Sequence, residues 1–257
     1  MAKPPSAKSP GSSRGASGGG APKPPSGSGK PQVRQLATRL RTAEGRTIGS
    51  QRWLERQLND PYVKAAKARG LRSRAAFKLE EMDDRYHLLK PGSRVVDLGA
   101  APGGWTQVAL ARGGDRAKVV GIDLLPIDPI ARAILLQGDF QDEEAERRVL
   151  AALDGLADLV LSDMAPNTTG HNATDHLRIM GLAEIALDFA CRVLAPGGGF
   201  VAKVLAGGSE KDFLATLKRD FTTVRHAKPP SSRKDSAELY VVATGFRGTG
   251  QTGKPRE

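Results

Sequence analysis

The chain of 257 residues carries a formal net charge of +11 and contains a single cysteine, Cys191. One cysteine excludes an internal disulfide, so we expect a reducing, cytoplasmic setting and a packing role for Cys191 on a helix. No apolar run reaches the roughly 18 residues of a membrane span, and the N-terminus has no apolar signal-peptide core. We therefore expect neither membrane insertion nor secretion.

Most of the positive charge lies at the N-terminus. Residues 1–50 carry +8 and are rich in proline, glycine and serine, a composition that cannot fill a core. We predict a disordered basic tail over residues 1–49, one folded domain over residues 50–246 and a flexible tail over residues 247–257. The N-terminal tail is either a solubilising arm or a non-specific anchor to phosphates.

The first elements of the predicted domain are helical. Asp60 followed by Pro61 is typical of a helix N-cap and first turn, and Gly70 is a suitable stop. Ser73 is suited to cap a second helix, which we expect to run to about Tyr86.

After these helices, short apolar runs alternate with helical patterns, of which the clearest covers Asp175–Leu194. The runs predict strands at Val95–Leu98, Val119–Ile122, Ile134–Leu136, Leu159–Leu161 and Phe200–Val204, and a hairpin of Thr222–His226 with Leu239–Ala243. Continuously apolar strands between helices are typical of a parallel sheet covered on both faces. We therefore predict an α/β fold with a mainly parallel sheet and an antiparallel last strand.

Two segments of the predicted domain are basic. Residues 52–78 carry +6 and residues 218–234 carry +5. Each segment alone is usually just a solvated face. Brought together by the fold, the two segments would form one basic surface, which is the electrostatic footprint of a nucleic-acid-binding protein.

Acidic residues follow or end four successive predicted strands, at Asp97, Asp123, Asp139 and Asp163. The carboxyl ends of parallel strands meet at one edge of the sheet, where ligands bind. The loop after the first strand, residues 99–105, is rich in glycine but lacks the Gly-x-Gly-x-x-Gly pattern. That difference disfavours a dinucleotide-dependent dehydrogenase.

S-adenosylmethionine (SAM) suits this edge better, because it has no phosphate and needs close backbone approach together with polar groups for its ribose and adenine. We predict that Gly103 and Trp105 bind SAM from the glycine-rich loop. Asp123, spaced like the ribose-binding acid of nucleotide folds, is expected at the SAM ribose. Asp139 is expected at the adenine amino group and Asp163 at the methionine end. We predict no metal site.

Several runs combine into a specific pattern. They include Val-Val-Asp-Leu-Gly-Ala-Ala-Pro-Gly-Gly-Trp at 95–105, Asp-Leu-Leu-Pro-Ile-Asp-Pro at 123–129, Ser-Asp-Met-Ala-Pro-Asn at 162–167 and Gly-Leu-Arg-Ser-Arg-Ala-Ala-Phe-Lys-Leu at 70–79. The combination resembles the FtsJ/RrmJ (RlmE) family of ribose 2′-O-methyltransferases of large-subunit ribosomal RNA, over about residues 50–246. The resemblance implies a Rossmann-like class I SAM-dependent methyltransferase with a seven-stranded sheet. It also implies a uridine target in 23S ribosomal RNA on the assembled 50S subunit, and we expect a monomer.

The resemblance also implies a catalytic tetrad, which falls on Lys78, Asp163, Lys203 and Glu238. A ribose hydroxyl is a weak acid, so its methylation needs positioning and a base. Lys203 interrupts an apolar strand, and we expect burial near the SAM sulfonium to favour its neutral, proton-accepting form, whereas Asp163 favours the charged form. A net shift toward the neutral form is required for Lys203 to act as the base. Asp163 would orient Lys203, while Lys78 and Glu238 would hold the ribose and each other.

Two alternatives stay open from the sequence. One is a related 2′-O-methyltransferase that acts on transfer RNA or an mRNA cap. The other is a non-catalytic RNA-binding factor in ribosome assembly, which the presence of Lys203 and Asp163 disfavours. SAM-dependent methyl incorporation into ribosomal subunits, compared with transfer RNA, separates these hypotheses.

Deleting residues 1–49 should leave the fold and SAM binding intact, because these residues contribute no core. RNA affinity should fall, most strongly at low salt, because the basic tail acts by neutralising phosphates. Thermal unfolding and RNA binding across a salt series measure both effects. A large fall in melting temperature would show instead that the tail belongs to the core.

Overall fold

The structure, a computed structural model, describes residues 48–166, 169–205, 210–233 and 236–248. Its helices are α1 (Ile48–Asn59), α2 (Pro61–Ala68), α3 (Ala76–Tyr86), α4 (Gly104–Gly113), α5 (Glu143–Leu153), α6 (Asn172–Val193) and α7 (Glu210–Asp220). Its strands are β1 (Arg94–Leu98), β2 (Lys118–Asp123), β3 (Ala133–Gln137), β4 (Ala157–Ser162), β5 (Leu194–Leu205), β6 (Phe221–Ala227) and β7 (Glu238–Phe246). The predicted N-terminal tail lies outside the described residues except for its last two, which begin α1.

The seven strands form one sheet in the order β3-β2-β1-β4-β5-β7-β6. Strands β1 to β5 pair in parallel, whereas β7 runs antiparallel to both β5 and β6. The predicted fold class is thereby confirmed, including the antiparallel last strand. The chain runs outward from β1 to β3 and returns to β4 on the other side of β1. The carboxyl ends of β1 and β4 therefore flank the switch in strand order, where ligands bind in such sheets.

Alternate residues of each central strand face two separate cores. Val95 of β1 packs in a cluster with α3 and α4, whereas its neighbour Val96 packs in a cluster with α5, α6 and α7. Both valines are fully buried. Burial on both faces explains why the strands read as continuous apolar runs. Cys191 is buried in the second cluster, as predicted for a packing residue.

The N-terminal helices differ in detail from their sequence prediction. Asp60 caps α2 as expected, because its Oδ1 accepts a hydrogen bond from the Tyr62 backbone N–H at 2.9 Å. Helix α3, however, begins at Ala76 without a side-chain cap, and Ser73 lies in the preceding turn. Ser73 packs against Gly104, where an added Cβ would lie 2.3 Å from its Oγ. Ser73 is thus held by packing against the start of α4.

No helix within the described part of the chain is both long and apolar enough to cross a membrane.

Candidate active site

Neighbouring strands bring the predicted tetrad together. Asp163 follows the last residue of β4, Lys203 lies near the end of β5 and Glu238 begins β7. Because β5 lies between β4 and β7, these three residues reach one edge of the sheet. Lys78 comes from α3, which packs on that side of the sheet. The structure therefore assembles all four residues that the sequence resemblance assigned.

The four side chains form two ion pairs that face each other. Lys203 Nζ lies 2.7 Å from Asp163 Oδ1, and Lys78 Nζ lies 2.7 Å from Glu238 Oε1. The cross distances are longer, at 3.8 Å from Lys78 Nζ to Asp163 Oδ1 and 3.9 Å from Lys203 Nζ to Glu238 Oε2. Both lysine side chains are only 9% exposed. Charges this buried need partners, and alternating the two signs leaves the cluster neutral.

Tyr240 completes this cluster, although it was not predicted from the sequence. Its hydroxyl donates to Asp163 Oδ1 at 2.6 Å and accepts from Lys78 Nζ at 2.9 Å. Burial, together with the negative charges of Asp163 and Glu238, holds the pKa of Tyr240 well above its ordinary value. The hydroxyl therefore stays protonated at neutral pH and remains a donor to Asp163.

Asp163 is the residue on which the cluster converges. Burial alone would raise its pKa, but the charges of Lys203 and Lys78 and the hydrogen bonds from Lys203 and Tyr240 outweigh burial. The net pKa of Asp163 lies below the ordinary value, so the group is a carboxylate at neutral pH. Its backbone carbonyl also accepts a hydrogen bond from Lys203 Nζ at 2.8 Å. Asp163 thus holds Lys203 Nζ at two points.

A cavity of about 480 Å³ opens beside this cluster. Three of the predicted cofactor-binding residues line it, namely Asp123, Asp139 and Asp163, with Gly99, Met164 and the exposed Leu124 and Leu125. A larger cavity of about 640 Å³ lies between α5 and α6, but its lining contains no tetrad residue and no glycine-loop residue. The smaller cavity is therefore the better candidate for a ligand site, because Asp163 joins it to the tetrad.

Asp123 organises the cavity wall. Its Oδ2 accepts from the Ala101 backbone N–H at 2.9 Å, and its Oδ1 accepts from the Leu125 backbone N–H at 2.8 Å. One carboxylate therefore connects the glycine-rich loop to the loop after β2. Asp139 is oriented in a similar way, since its Oδ1 accepts from the Gln141 backbone N–H at 3.0 Å.

The other two predicted cofactor-binding residues do not line the cavity. Gly103 caps α4 with φ +107°, and a Cβ there would lie 2.6 Å from Ile130 Cδ1. Trp105 is 3% exposed; its Nε1 donates to the Ala75 carbonyl at 2.7 Å, and its ring packs 5.7 Å from that of Tyr240. Gly103 thus packs against Ile130 and Trp105 against Tyr240, and their contact with SAM stays a prediction.

Arg72 is a second residue that the sequence analysis missed. Its guanidinium donates to the backbone carbonyls of Pro102 at 3.2 Å, Asp128 at 2.6 Å and Pro129 at 2.7 Å. It therefore clamps the glycine-rich loop to the loop after β2 from outside the cavity. The signal was its place in the Gly-Leu-Arg-Ser-Arg run, but carbonyl partners cannot be read from a sequence.

The two basic segments are in contact, as their sequence interpretation required. Asp60 Oδ2 lies 3.1 Å from Arg74 Nε of the first segment and 3.5 Å from Arg233 of the second. The Arg74 guanidinium also donates to the Ser231 carbonyl. Among the residues that the structure describes, no group of His, Cys, Asp or Glu is arranged to hold a metal ion.

Asp97 is a buried carboxyl beneath the site. It lies inside β1, is 1% exposed, and accepts a hydrogen bond from Thr106 Oγ1 at 2.7 Å. Burial raises its pKa to about 7; the Thr106 hydrogen bond opposes this shift, and the charges of Asp163 and Asp123 add to it. The folded pKa of Asp97 exceeds its unfolded value. Between about pH 4 and pH 7, Asp97 therefore ionises in the unfolded chain but stays neutral in the folded protein, so the free energy of unfolding falls as pH rises through this range.

The Asp97→Asn variant removes this ionisation and keeps an acceptor for Thr106. Its free energy of unfolding, relative to the wild type, should rise by about 2–3 kcal/mol between pH 5 and pH 8. Urea unfolding of both proteins at the two pH values measures the change. A difference that does not vary with pH would mean that Asp97 has an ordinary pKa in the folded protein.

Comparison with known proteins points to one family. A family model described as FtsJ-like methyltransferase matches residues 71–246 of the chain. The Ribosomal RNA large subunit methyltransferase E of Gluconobacter oxydans is 65% identical over 215 residues, which cover 84% of this chain and 80% of that protein. The protein of the same name from Acidiphilium cryptum is 66% identical over 214 residues, covering 83% and 94% of the two chains.

A solved structure supports the same grouping. A crystal structure from Plasmodium falciparum, described as that of a ribosomal RNA methyltransferase, matches with a TM-score of 0.63 and 31% identity. The match covers 69% of this chain and 99% of that chain. Sequence and fold therefore agree over most of the residues that the structure describes.

Proposed function

Because this chain belongs to the FtsJ-like methyltransferase family, we propose that it transfers a methyl group from SAM to a ribose 2′-hydroxyl of large-subunit ribosomal RNA. The observation that carries the proposal is the double position of Asp163, which lines the cavity and also binds both tetrad lysines. The names of the relatives refer to the large ribosomal subunit and do not favour transfer RNA or an mRNA cap. A uridine of 23S ribosomal RNA on the assembled 50S subunit is the proposed target.

The cavity fits SAM in size and chemistry. Its volume of about 480 Å³ lies within the range of small-molecule sites. The carboxylates of Asp123 and Asp139 suit ribose hydroxyls and an adenine amino group, and the exposed Leu124 and Leu125 offer apolar surface for a ring. When bound, SAM supplies an electrophilic methyl group on a positively charged sulfur. The anionic Asp163 suits a cationic ligand at this end of the cavity.

Lys203 Nζ is the proposed proton acceptor. Lys203 is the charged partner of Asp163, so its ammonium must first release one proton to solvent before it can act as a base. The resulting neutral amine has two N–H donors and one lone pair. Asp163 Oδ1 and the Asp163 carbonyl, at 2.7 and 2.8 Å, are positioned to take both donors. The lone pair then points away from Asp163 and can accept the proton of the ribose hydroxyl. Lys78 and Glu238, paired with each other, are proposed to hold the ribose beside it.

The substrate class is tested by SAM-dependent methyl incorporation. Assembled 50S subunits, free 23S ribosomal RNA and transfer RNA are offered to the enzyme in parallel. We expect methylation of the 50S subunit at the 2′-oxygen of a single uridine. Preferential methylation of transfer RNA would contradict the proposed substrate, and the absence of methylation on all three would contradict the proposed activity.

Asp123→Ala should weaken SAM binding by about 10-fold or more, because it removes a charged acceptor and frees two backbone donors of the cavity wall. Asp123→Asn, which keeps one acceptor, should have a smaller effect. Calorimetric titration with SAM measures the affinities, and melting temperatures show whether each variant is folded. Asp115→Ala, at a fully exposed acid, is the matched control. Unchanged affinity in folded Asp123→Ala would exclude Asp123 from the SAM site.

Lys203→Ala should lower the rate of methyl transfer by at least about 100-fold while SAM binding persists, because it removes the base. Lys203→Arg should fail as well, because a guanidinium stays protonated. Lys203→Met, which removes the amine but keeps a side chain of similar size, replaces Lys203→Ala in this test if the alanine variant unfolds. Lys78→Ala and Glu238→Ala should be milder.

Single-turnover methylation of 50S subunits as a function of pH measures these rates. Near wild-type rates in Lys203→Arg would make Lys203 an electrostatic support. The base would then be Asp163 or a water molecule.

A further inference from the structure

The loop between β6 and β7 is fixed to helix α3 at Ser231. Glu81 Oε2 accepts hydrogen bonds from both the Ser231 backbone N–H, at 2.8 Å, and the Ser231 hydroxyl, at 2.6 Å. Arg74 donates to the Ser231 carbonyl from the turn before α3. Ser231 is 1% exposed, so these bonds are shielded from water. The loop is therefore held at this residue by three hydrogen bonds to one helix and its preceding turn.

The next residue of the loop reaches the tetrad. Ser232 is buried, and its hydroxyl donates to Glu238 Oε1 at 3.1 Å. The same oxygen lies 2.7 Å from Lys78 Nζ. Two donors on Oε1 fix the rotation of the carboxylate, which places Oε2 on the side of Lys203. A glutamate side chain has three rotatable bonds, so it needs such contacts to keep one orientation.

We propose that Ser232 is a positioning residue that orients the Glu238 carboxylate for catalysis, and that the bonds between Glu81 and Ser231 hold Ser232 in place. This inference rests on the proposed function of the tetrad. Glu81 lies three residues after Lys78 on α3, so the lysine and the anchor of the loop share one rigid element. The two donors to Glu238 Oε1 are thus both positioned by α3, Lys78 directly and Ser232 through the bonds between Ser231 and Glu81.

A double-mutant cycle tests whether Ser232 acts through Glu238. Single-turnover methylation of 50S subunits is measured for the wild type, Ser232→Ala, Glu238→Ala and the double variant. Ser232→Ala should lower the rate by about 10-fold, the effect of one hydrogen bond to a charged group. Its SAM affinity should be unchanged, because Ser232 does not line the cavity. In the Glu238→Ala background, the same substitution should change the rate by less than about 2-fold.

Ser236→Ala is the matched control, since Ser236 lies before the same strand and its hydroxyl accepts from the Glu238 backbone N–H, at 3.2 Å, and not from the Glu238 side chain. It should keep a nearly wild-type rate. A wild-type rate for Ser232→Ala, an equal loss in Ser236→Ala, or a full further loss in the double variant would each overturn the inference.

Urea unfolding of the same four proteins gives a readout that does not depend on activity. The stability lost in Ser232→Ala should shrink when Glu238 is already alanine. A wild-type enzyme that is inactive on ribosomal RNA would contradict the proposed function. The unfolding measurements would still show whether the hydrogen bond between Ser232 and Glu238 contributes to stability. Additive losses of stability would then count against a coupling of Ser232 to Glu238.

Discussion

The site depends on keeping one largely buried carboxylate, that of Asp163, charged. Asp163 lies at the end of a central strand, where burial alone would favour its neutral form. Lys203, Lys78 and the Tyr240 hydroxyl all reach the same Oδ1 atom and reverse that preference. Each of these partners comes from a different element of the fold. The strand order, the packing of α3 and the insertion of β7 therefore all meet at a single oxygen atom.

The same constraint explains why the site needs two lysines and two acids. Glu238 is paired with Lys78 as Asp163 is paired with Lys203, and the cross distances of 3.8 and 3.9 Å couple the two pairs. In the proposed function, a substrate hydroxyl that enters this cluster meets donors and acceptors that are already oriented. Pre-orientation of this kind lowers the cost of reaching the transition state. Removal of one member leaves its partner with only the longer cross contact to an opposite charge.

Much of this arrangement was predictable because its signals are local. Apolar runs located the strands, and acids at strand ends placed Asp123, Asp139 and Asp163 on one cavity, since the carboxyl ends of parallel strands meet. The role of Tyr240 depends on its facing Lys78 across a helix–sheet contact, and that of Arg72 depends on three backbone carbonyls. Neither the contacts of Tyr240 nor those of Arg72 produce a recognisable pattern in the sequence. Trp105 differs from the strand-end acids: its place in the glycine-rich loop predicted a contact with SAM, but its side chain is buried in the core.

The position of β7 has a consequence for when activity can arise during synthesis. Glu238 and Tyr240 lie on this last strand, which inserts between β5 and β6. A growing chain that has not yet synthesised β7 contains Lys78, Asp163 and Lys203, three of the four tetrad residues, but lacks Glu238 and the Tyr240 hydroxyl. Pairings between segments so far apart in sequence form slowly. In the proposed function, a nascent or C-terminally truncated chain without β7 therefore lacks the carboxylate that pairs with Lys78 and the hydroxyl that donates to Asp163.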